Sequence, residues 1–349
     1  MKTVLVVFGG KSTEYEVSLR SAASVIRNIP KDKYKVITAG ITKDGRLFYY
    51  EGSVESIENN KWQEHGRPAL FPNDFGASKL LVLNGGAYDL VHFDVAFPVL
   101  HGKNGEDGTI QGLFMFSGAA FAGCDTVSSA ICMDKAFTNS LADHYGIKQA
   151  KWLSINAYDY EKDSAGFLNK AAEYLGFPIF AKPANAGSSV GISKVKKADE
   201  LENAIKTAFQ HDSKIVLEEG IDGMEIECAV LGNRAPIASR VGEIVPCNEF
   251  YDYDAKYIDD SELYVPARIT DEKEEEVRAA SVKIFKILCC SGLARVDFFV
   301  SGKDGMLYFN EINTMPGFTS ISMYPRLFEK YGISYPELLD RLIQLAFEK

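Results

Sequence analysis

Apolar residues in this chain fall into short strand-like runs and longer stretches of helical period, and the two kinds alternate through its first third. Residues 3–8 form an apolar run ending on Gly9-Gly10, and a helical pattern follows from Glu16 to Ile29. Tyr34 to Ile41 reads as a second strand, Phe93 to Leu100 as a buried-type strand, and Thr109 to Phe116 as a further helix. Strand then helix, repeated, predicts a parallel α/β sheet for roughly the first 125 residues. The polar stretch from Glu51 to Lys79 is expected to be an irregular surface excursion. Residues 127–145 read as one helix with Met133, Asp134 and Lys135 near its middle. Short strands at Lys151–Ile155, Ile179–Lys182, Val190–Val195 and Ile215–Glu219 then alternate with helices at 165–175 and 198–210, which predicts a small α+β domain. Beyond residue 222 come strands at Met224–Leu231 and 237–244, a tyrosine-rich loop at 247–265, a helix at 271–290, a hairpin, and a last helix at 334–348. The expected class is α/β and α+β, divided as 1–130, 131–221 and 222–349.

Composition narrows the field. The chain has 349 residues, 46% of them hydrophobic, ample for a substantial core. A net charge of −10 argues against a nucleic-acid surface, although a local basic cleft could still hold phosphates. No apolar run reaches the length of a membrane span, and Met1 to Gly10 reads as strand and turn rather than a secretory signal. Cysteines 124, 132, 228, 247, 289 and 290 sit in apolar contexts without metal-ligand spacing, so buried free thiols in a reducing cytoplasm are expected.

The richest chemistry lies in the hairpin from Arg295 to Asn313. Two apolar arms flank the turn Ser-Gly-Lys-Asp-Gly, and side chains alternate faces along each arm. Pairing the arms sets Asp297 opposite Glu311, gathering Asp297, Glu311, Asn313 and the Arg295 guanidinium on one face. Two carboxylates and an amide suit a hard cation such as Mg²⁺; the alternative is a merely solvated polar face. In Ala181-Lys182-Pro183-Ala-Asn-Ala-Gly187-Ser188-Ser189-Val190-Gly191, backbone N–H groups and Lys182 could cradle phosphate, or the segment could be a plain turn. Glu218-Glu219-Gly220-Ile221, with Glu225 beyond, offers a backbone edge and carboxylates to a nucleotide, or is an acidic strand exit. The loop His101-Gly-Lys-Asn-Gly-Glu106-Asp107-Gly-Thr follows a strand, where α/β ligands commonly sit, although His101 could equally be structural. After Gly9-Gly10, Glu16 or Ser18 could hold an ammonium group, or Ser12/Thr13 with Glu16 could simply be a capping box. The aromatic loop around Tyr253 to Tyr257 suits a lid, and Thr314 to Met323 is a donor-rich turn beside the hairpin.

Taken in order, Gly-Gly, His-Gly-Lys-Asn-Gly-Glu-Asp-Gly, Met-Asp-Lys, Lys-Pro…Gly-Ser-Ser-Val-Gly, Glu-Glu, Arg-Val-Asp and Asn-Glu-Ile-Asn-Thr-Met-Pro-Gly resemble the D-alanine–D-alanine ligases of the ATP-grasp superfamily across essentially the whole chain. The resemblance implies an N-terminal α/β substrate domain before a two-domain ATP-grasp fold. It implies ATP held by Lys135, Lys182, Ser189, Glu218, Glu219, Ile221 and Glu225, and a pair of Mg²⁺ ions (Mn²⁺ as a substitute) on Asp297, Glu311 and Asn313. Arg295 and the Gly317 N–H would face an oxyanion. Glu16 would hold the first substrate's ammonium near His101, and Ser322 the second substrate's carboxylate. Lys256 and Tyr257 would belong to the lid, with Tyr257, Ser188 and Glu16 closing over the reaction. A cytoplasmic homodimer making D-alanyl-D-alanine for peptidoglycan is the implied whole.

The same likeness leans toward ligases that add D-serine and confer vancomycin resistance. Those tend to carry arginine after the serine at 322, whereas this chain has Met323, an apolar side chain suited to a methyl group. The Lys256-Tyr257 pair argues against a D-lactate type. The pocket residue favours D-alanine.

Overall fold

The run Lys2–Gly9 (β1) lies inside the first sheet, and its residues Val4 to Phe8 are wholly buried, as a strand covered on both faces requires. The structure, a computed structural model, describes residues 1–72, 76, 78–245 and 262–349. Helix α1 (Tyr15–Asn28) follows, then β2 (Tyr34–Ile41) and β3 (Leu47–Tyr50). Next come α2 (Val54–Glu58), β4 (Arg67–Leu70), β5 (Lys79–Asn84), β6 (Ala87–His92) and β7 (Val95–Val99). Helix α3 (Thr109–Ser117) and β8 (Ala120–Phe121) complete the unit.

These strands make one eight-stranded sheet in the order β6-β5-β4-β3-β2-β1-β7-β8. The expected parallel pairing holds for β2, β1, β7 and β8, whereas β3 to β6 run antiparallel, so the sheet is mixed. The stretch expected to be irregular is structured in part, with α2, a 3₁₀ turn at Trp62–His65 and β4. Its anchor is Trp62, fully buried, edge-on to Phe8 at 5.0 Å, with its indole N–H donating to Tyr15 Oη at 3.1 Å.

The expected helix over 127–145 is two helices, α4 (Thr126–Met133) and α5 (Lys135–His144). Asp134 breaks them. Its backbone is extended and its carboxylate accepts from the N–H groups of Ala136 and Phe137, an N-cap that a continuous helix would forbid. Lys135 therefore starts a helix instead of lying in the middle of one.

The middle of the chain builds β9 (Trp152–Asn156), α6 (Ala157–Lys162), α7 (Ser164–Leu175), β10 (Ile179–Pro183), β11 (Ser193–Val195), α8 (Ala198–Phe209) and β12 (Lys214–Glu219). The antiparallel order is β11-β10-β12-β9. Strand β11 is shorter than its apolar pattern because Ser188 and Ser189 take left-handed φ of 49° and 57°, which turns the chain before it can pair.

The last sheet, β15-β14-β13-β16-β17, is antiparallel throughout. It contains β13 (Gly223–Gly232), β14 (Ile237–Val245), β15 (Glu262–Tyr264), β16 (Gly292–Ser301) and β17 (Leu307–Asn313). Helix α9 (Asp271–Ile287) lies against it through Val277, Ile284 and Phe285, in a core with Ile226, Val230 and Phe298. The expected turn holds over 314–322, helix α10 (Met323–Tyr331), not expected from sequence, follows it, and α11 (Tyr335–Ala346) ends the fold. In α11, Leu338, Leu339, Leu342 and Ile343 are fully buried, and burying each contributes about 1.5–3 kcal/mol. They share a core with Val6, Val95 and Phe97 of the first sheet, so the C-terminal helices lock the first and last sheets together.

Candidate active site

A cleft of about 1110 Å³ opens between the middle and last sheets, with loops of the first sheet at one end. Most of the residues singled out from sequence line it, on three walls. On the middle sheet, β10 carries Lys182 and β12 carries Glu218, with Glu219 and Ile221 just beyond. Lys182 Nζ lies 2.5 Å from Glu218 Oε2, and Asn139 Nδ2 donates to Glu218 Oε1 at 3.0 Å. Burial alone would depress the Lys182 ammonium, but the Glu218 carboxylate outweighs it and holds the pKa up, so the lysine keeps its charge. The Glu218 carboxylate is thereby turned to its own sheet, leaving main chain as what this strand end offers a ligand. Lys135 joins from α5, donating to Ala186 O at 2.9 Å and lying 4.0 Å from Glu311 Oε2. Ser188 and Ser189 line the same cleft from the left-handed turn.

The opposite wall is the hairpin. The ladder pairs Asp297 with Glu311 and Arg295 with Asn313, followed by a bulge between Asp297 and Phe298. Arg295 clasps Asp297 through two bonds, Nε to Oδ1 at 2.8 Å and Nη2 to Oδ2 at 2.7 Å, and reaches Glu227 Oε1 at 3.1 Å. Desolvation opposes the guanidinium charge, but Asp297 and Glu227 overcome it and push its pKa well up. Glu225, Glu311 and Asn313 line the cleft, whereas Asp297 is 2% exposed beneath Arg295 and its amide donor Asn313 Nδ2 at 3.1 Å. Among the described residues, no group of three or more His, Cys, Asp or Glu is placed to hold a metal ion. The donors present, two carboxylates and an amide oxygen, fit a hard cation that completes its shell with water and phosphate.

The third wall comes from the first sheet and from the segment after the hairpin. Glu16, expected to hold an ammonium, is outside the cleft: its carboxylate is half-exposed and paired with Lys43. Glu14 occupies the site instead, 6% exposed, accepting from the hydroxyl of Ser188 in the turn before β11. The reason is helical phase. On α1 the exposed positions Glu16, Arg20 and Arg27 form one polar stripe, while Glu14 precedes the first turn and points inward. That stripe was available in the sequence as the signal against Glu16. The expected capping box is likewise absent, because Ser12 Oγ accepts from Glu14 N and the Glu14 carboxylate is engaged with Ser188. Gly102 must be glycine here, with φ of 67° and a Cβ position filled by the Glu14 carboxylate and Ser12 Oγ.

His101 is 4% exposed and neutral, since burial pushes its pKa down. Glu106 accepts from Gly102 N at 2.6 Å, and burial, aided by nearby Glu14, raises its carboxyl to about 8. The folded chain thus keeps a proton that the unfolded chain releases at the ordinary carboxyl pKa of 4.5, so this stabilisation is full below that pH and disappears as pH rises through about 8. Glu106→Gln, which can still accept from Gly102, is expected to flatten the loss of stability between about pH 5 and about pH 8, read as the urea midpoint. An unchanged slope would count against this origin. Gly317, Ser322 and Met323 close this end of the cleft, with Ser322 Oγ accepting from Thr319 N at 3.0 Å. A side chain at 317 would meet Ser322 Oγ at 2.6 Å. Lys256 and Tyr257 lie outside the described residues. Of the cysteines expected to be buried, 124, 132, 228 and 290 are, whereas Cys289 is exposed and Cys247 lies outside the described residues. No helix among the described residues is long and apolar enough to cross a membrane.

Comparison with known proteins agrees with this architecture. Residues 3–124 match the family model "D-ala D-ala ligase N-terminus" and residues 141–344 match "D-ala D-ala ligase C-terminus". A D-alanine–D-alanine ligase of Acetivibrio thermocellus is 48% identical over 368 aligned positions, covering 100% of this chain and 96% of the relative. Among solved structures, the VanG D-Ala:D-Ser ligase of Enterococcus faecalis superposes with a TM-score of 0.90 at 43% identity, covering 99% of both chains. The D-alanine–D-alanine ligase of Coxiella burnetii gives 0.88 at 33% identity, covering 99% of this chain and 94% of that one. Two sheets closing on a cleft with lysines on one wall and carboxylates on the other make the ATP-grasp fold. The chain belongs to the D-alanine–D-alanine ligase family.

Proposed function

We propose that this protein joins two D-alanines into D-alanyl-D-alanine at the expense of ATP, releasing ADP and phosphate, as a step of peptidoglycan synthesis. The observation that carries the reading is one cleft holding Lys135 and Lys182 opposite Glu311 and Asn313, with Arg295, Gly317 and Ser322 at its closed end. Lys135, Lys182 and the Ser188–Ser189 turn bind phosphate oxygens; the edge from Glu218 to Ile221 receives the base, and Glu225 the ribose. Asp297, Glu311 and Asn313 would hold Mg²⁺, with Mn²⁺ a substitute, which supplies neutralisation of phosphate charge when bound. A carboxylate oxygen of the first D-alanine attacks the γ-phosphorus, the bond to ADP breaks, and an acyl phosphate forms. The amine of the second D-alanine, having lost a proton, attacks the acyl carbon, and phosphate leaves from the tetrahedral intermediate. Arg295 and the Gly317 N–H face that oxyanion. Glu14, in place of Glu16, holds the first ammonium beside His101, and Ser322 the second carboxylate. Lys256 and Tyr257 supply the lid.

Phosphate release with ATP, Mg²⁺ and D-alanine alone, with products identified by mass, tests this. No D-alanine-dependent release would sink it. Glu14→Gln should cost at least ~10-fold in kcat/KM for D-alanine, and Glu16→Gln should stay within about twofold, because only a buried charge-assisted contact carries that much. Equal effects would reject the exchange of roles.

The likeness to the enterococcal D-Ala:D-Ser ligase favours a second reading, D-serine as the second substrate. Met323 speaks for D-alanine: it is 6% exposed and lines the closed end of the cleft. An apolar pocket rejects an added hydroxyl only modestly, so some D-serine product is expected. Met323→Arg should raise the D-serine to D-alanine product ratio by ~10-fold or more; an unchanged ratio would show that this residue does not set it. We place the protein in the cytoplasm as a homodimer through the N-terminal domain, a reading supported by exposed Leu83, Tyr88 and Leu90 along its antiparallel edge. The units 1–130, 131–221 and 222–349 serve as the substrate, central and C-terminal parts.

A further inference from the structure

The segment Met315–Phe318 carries Gly317 and belongs to the last domain, but His101 and Ser21, which bond to its backbone, belong to the first. His101 Nδ1 lies 3.0 Å from Met315 O and His101 Nε2 lies 3.0 Å from Ser21 Oγ. A carbonyl only accepts, so the ring proton sits on Nδ1 and Ser21 donates its hydroxyl to Nε2. Ser21 Oγ in turn accepts from Phe318 N at 3.3 Å. On the far side the Tyr335 hydroxyl donates to Phe318 O at 2.7 Å, and Ser24 Oγ lies 3.2 Å from Tyr335 Oη. The Met315 carbonyl, two residues before Gly317, and both polar groups of Phe318 after it are thus tied to α1, to the loop after β7 and to the first turn of α11. The Phe318 ring is fully buried, 5.9 Å from Phe97 and 5.5 Å from Tyr324, and stacked at 6.4 Å on Tyr335. Only Gly317 and its neighbour Pro316 turn toward the cleft together with the buried edge of Met315, whereas Ser21 and Tyr335 do not line it.

We propose that Tyr335 and Ser21 are positioning residues that aim the Gly317 N–H at the tetrahedral intermediate of the second half-reaction. The proposal rests on the ligase reading above. A donor serves an oxyanion only within about 2.7–3.1 Å of where that oxygen forms, and a displacement near 1 Å can cost up to ~100-fold. Tied peptide planes on either side of the Pro316–Gly317 amide limit how far that amide can drift. The clamp is also built from two domains, so it is complete only when the first domain and the last are docked. Burial keeps the Tyr335 phenol protonated and able to donate.

Tyr335→Phe keeps the stacked ring and removes only the hydroxyl. Dipeptide formation should fall about 5- to 10-fold, the range a lost buried hydrogen bond gives when it acts on the transition state. The KM for ATP should stay within about twofold, as should D-alanine-dependent scrambling of the bridging oxygen in isotopically labelled ATP, which reports acyl-phosphate formation alone. Ser21→Ala should lower dipeptide formation more strongly, since two bonds are lost, one of them to His101. The double variant should lose less than the product of the single losses, because both act on one segment. An unchanged dipeptide rate in Tyr335→Phe, or equal losses in the two half-reactions, overturns the proposal alone. Absence of D-alanine-dependent scrambling in the parent protein overturns the ligase reading and the proposal with it.

Discussion

Replacing Arg295 with methionine is expected to abolish dipeptide synthesis and to destabilise the protein by about 3–5 kcal/mol. The two losses have one origin. Arg295 is clasped by Asp297 and touches Glu227, and both carboxylates are 2% exposed. Methionine fills much of the volume but leaves two buried negative charges facing each other across adjacent strands, where Glu227 and Asp297 are ladder partners. Breaking a buried ion pair by removing one member exposes the whole desolvation cost of the other. On the proposed mechanism the same substitution also takes the guanidinium away from the oxyanion, which loses its charged partner. Urea unfolding and a D-alanine-dependent phosphate assay check the two effects separately. Arg295→Lys should recover part of the stability and little activity, because an ammonium supplies the charge but not the fork that spans both oxygens of Asp297. A methionine variant as stable as the parent would show that this cluster is neutralised in some other way.

Glu311→Gln should reduce turnover by roughly 10³-fold while leaving the fold intact. Glu311 is partly exposed to the cleft at 30% and faces both the hairpin carboxylate and Lys135 at 4.0 Å. Glutamine preserves its shape and its place in the ladder but removes the negative charge that a divalent cation needs beside a phosphate. Because the side chain is open to the cleft, little burial is at stake, and the melting temperature should move by no more than a few degrees. Full activity in this variant would end the assignment of the hairpin as a cation site. Loss of activity together with a large fall in stability would mean instead that Glu311 is structural.

The elements of the fold were legible to different degrees, and the reasons are physical. Hairpin register follows from turn length and from side-chain alternation, both local, so the pairing of Asp297 with Glu311 could be worked out from the residues alone. The same holds for β1, whose continuous apolar run demands burial on both faces. The break at Asp134 was also written locally, as a capping residue ahead of Lys135, but a continuous apolar period masked it. Trp62 was harder: its surroundings in sequence are polar, and only Phe8 and Tyr15, far along the chain, explain why it is buried.

Within the cleft the division is sharper. The order and spacing of the chemical groups, from Gly9-Gly10 to Met315-Pro-Gly317, determined the family and the kind of reaction by themselves, since each motif is a local backbone device with its own side chains. Which of two glutamates two residues apart enters the site was decided by where α1 begins, because helical phase sends Glu16 to solvent beside Lys43 and leaves Glu14 to meet Ser188. The clamp on Gly317 was likewise invisible in sequence. Ser21, His101 and Tyr335 meet around Phe318 only because the C-terminal helices bury their apolar faces against the first sheet, and contacts between such distant residues are set by packing and carry no local signature.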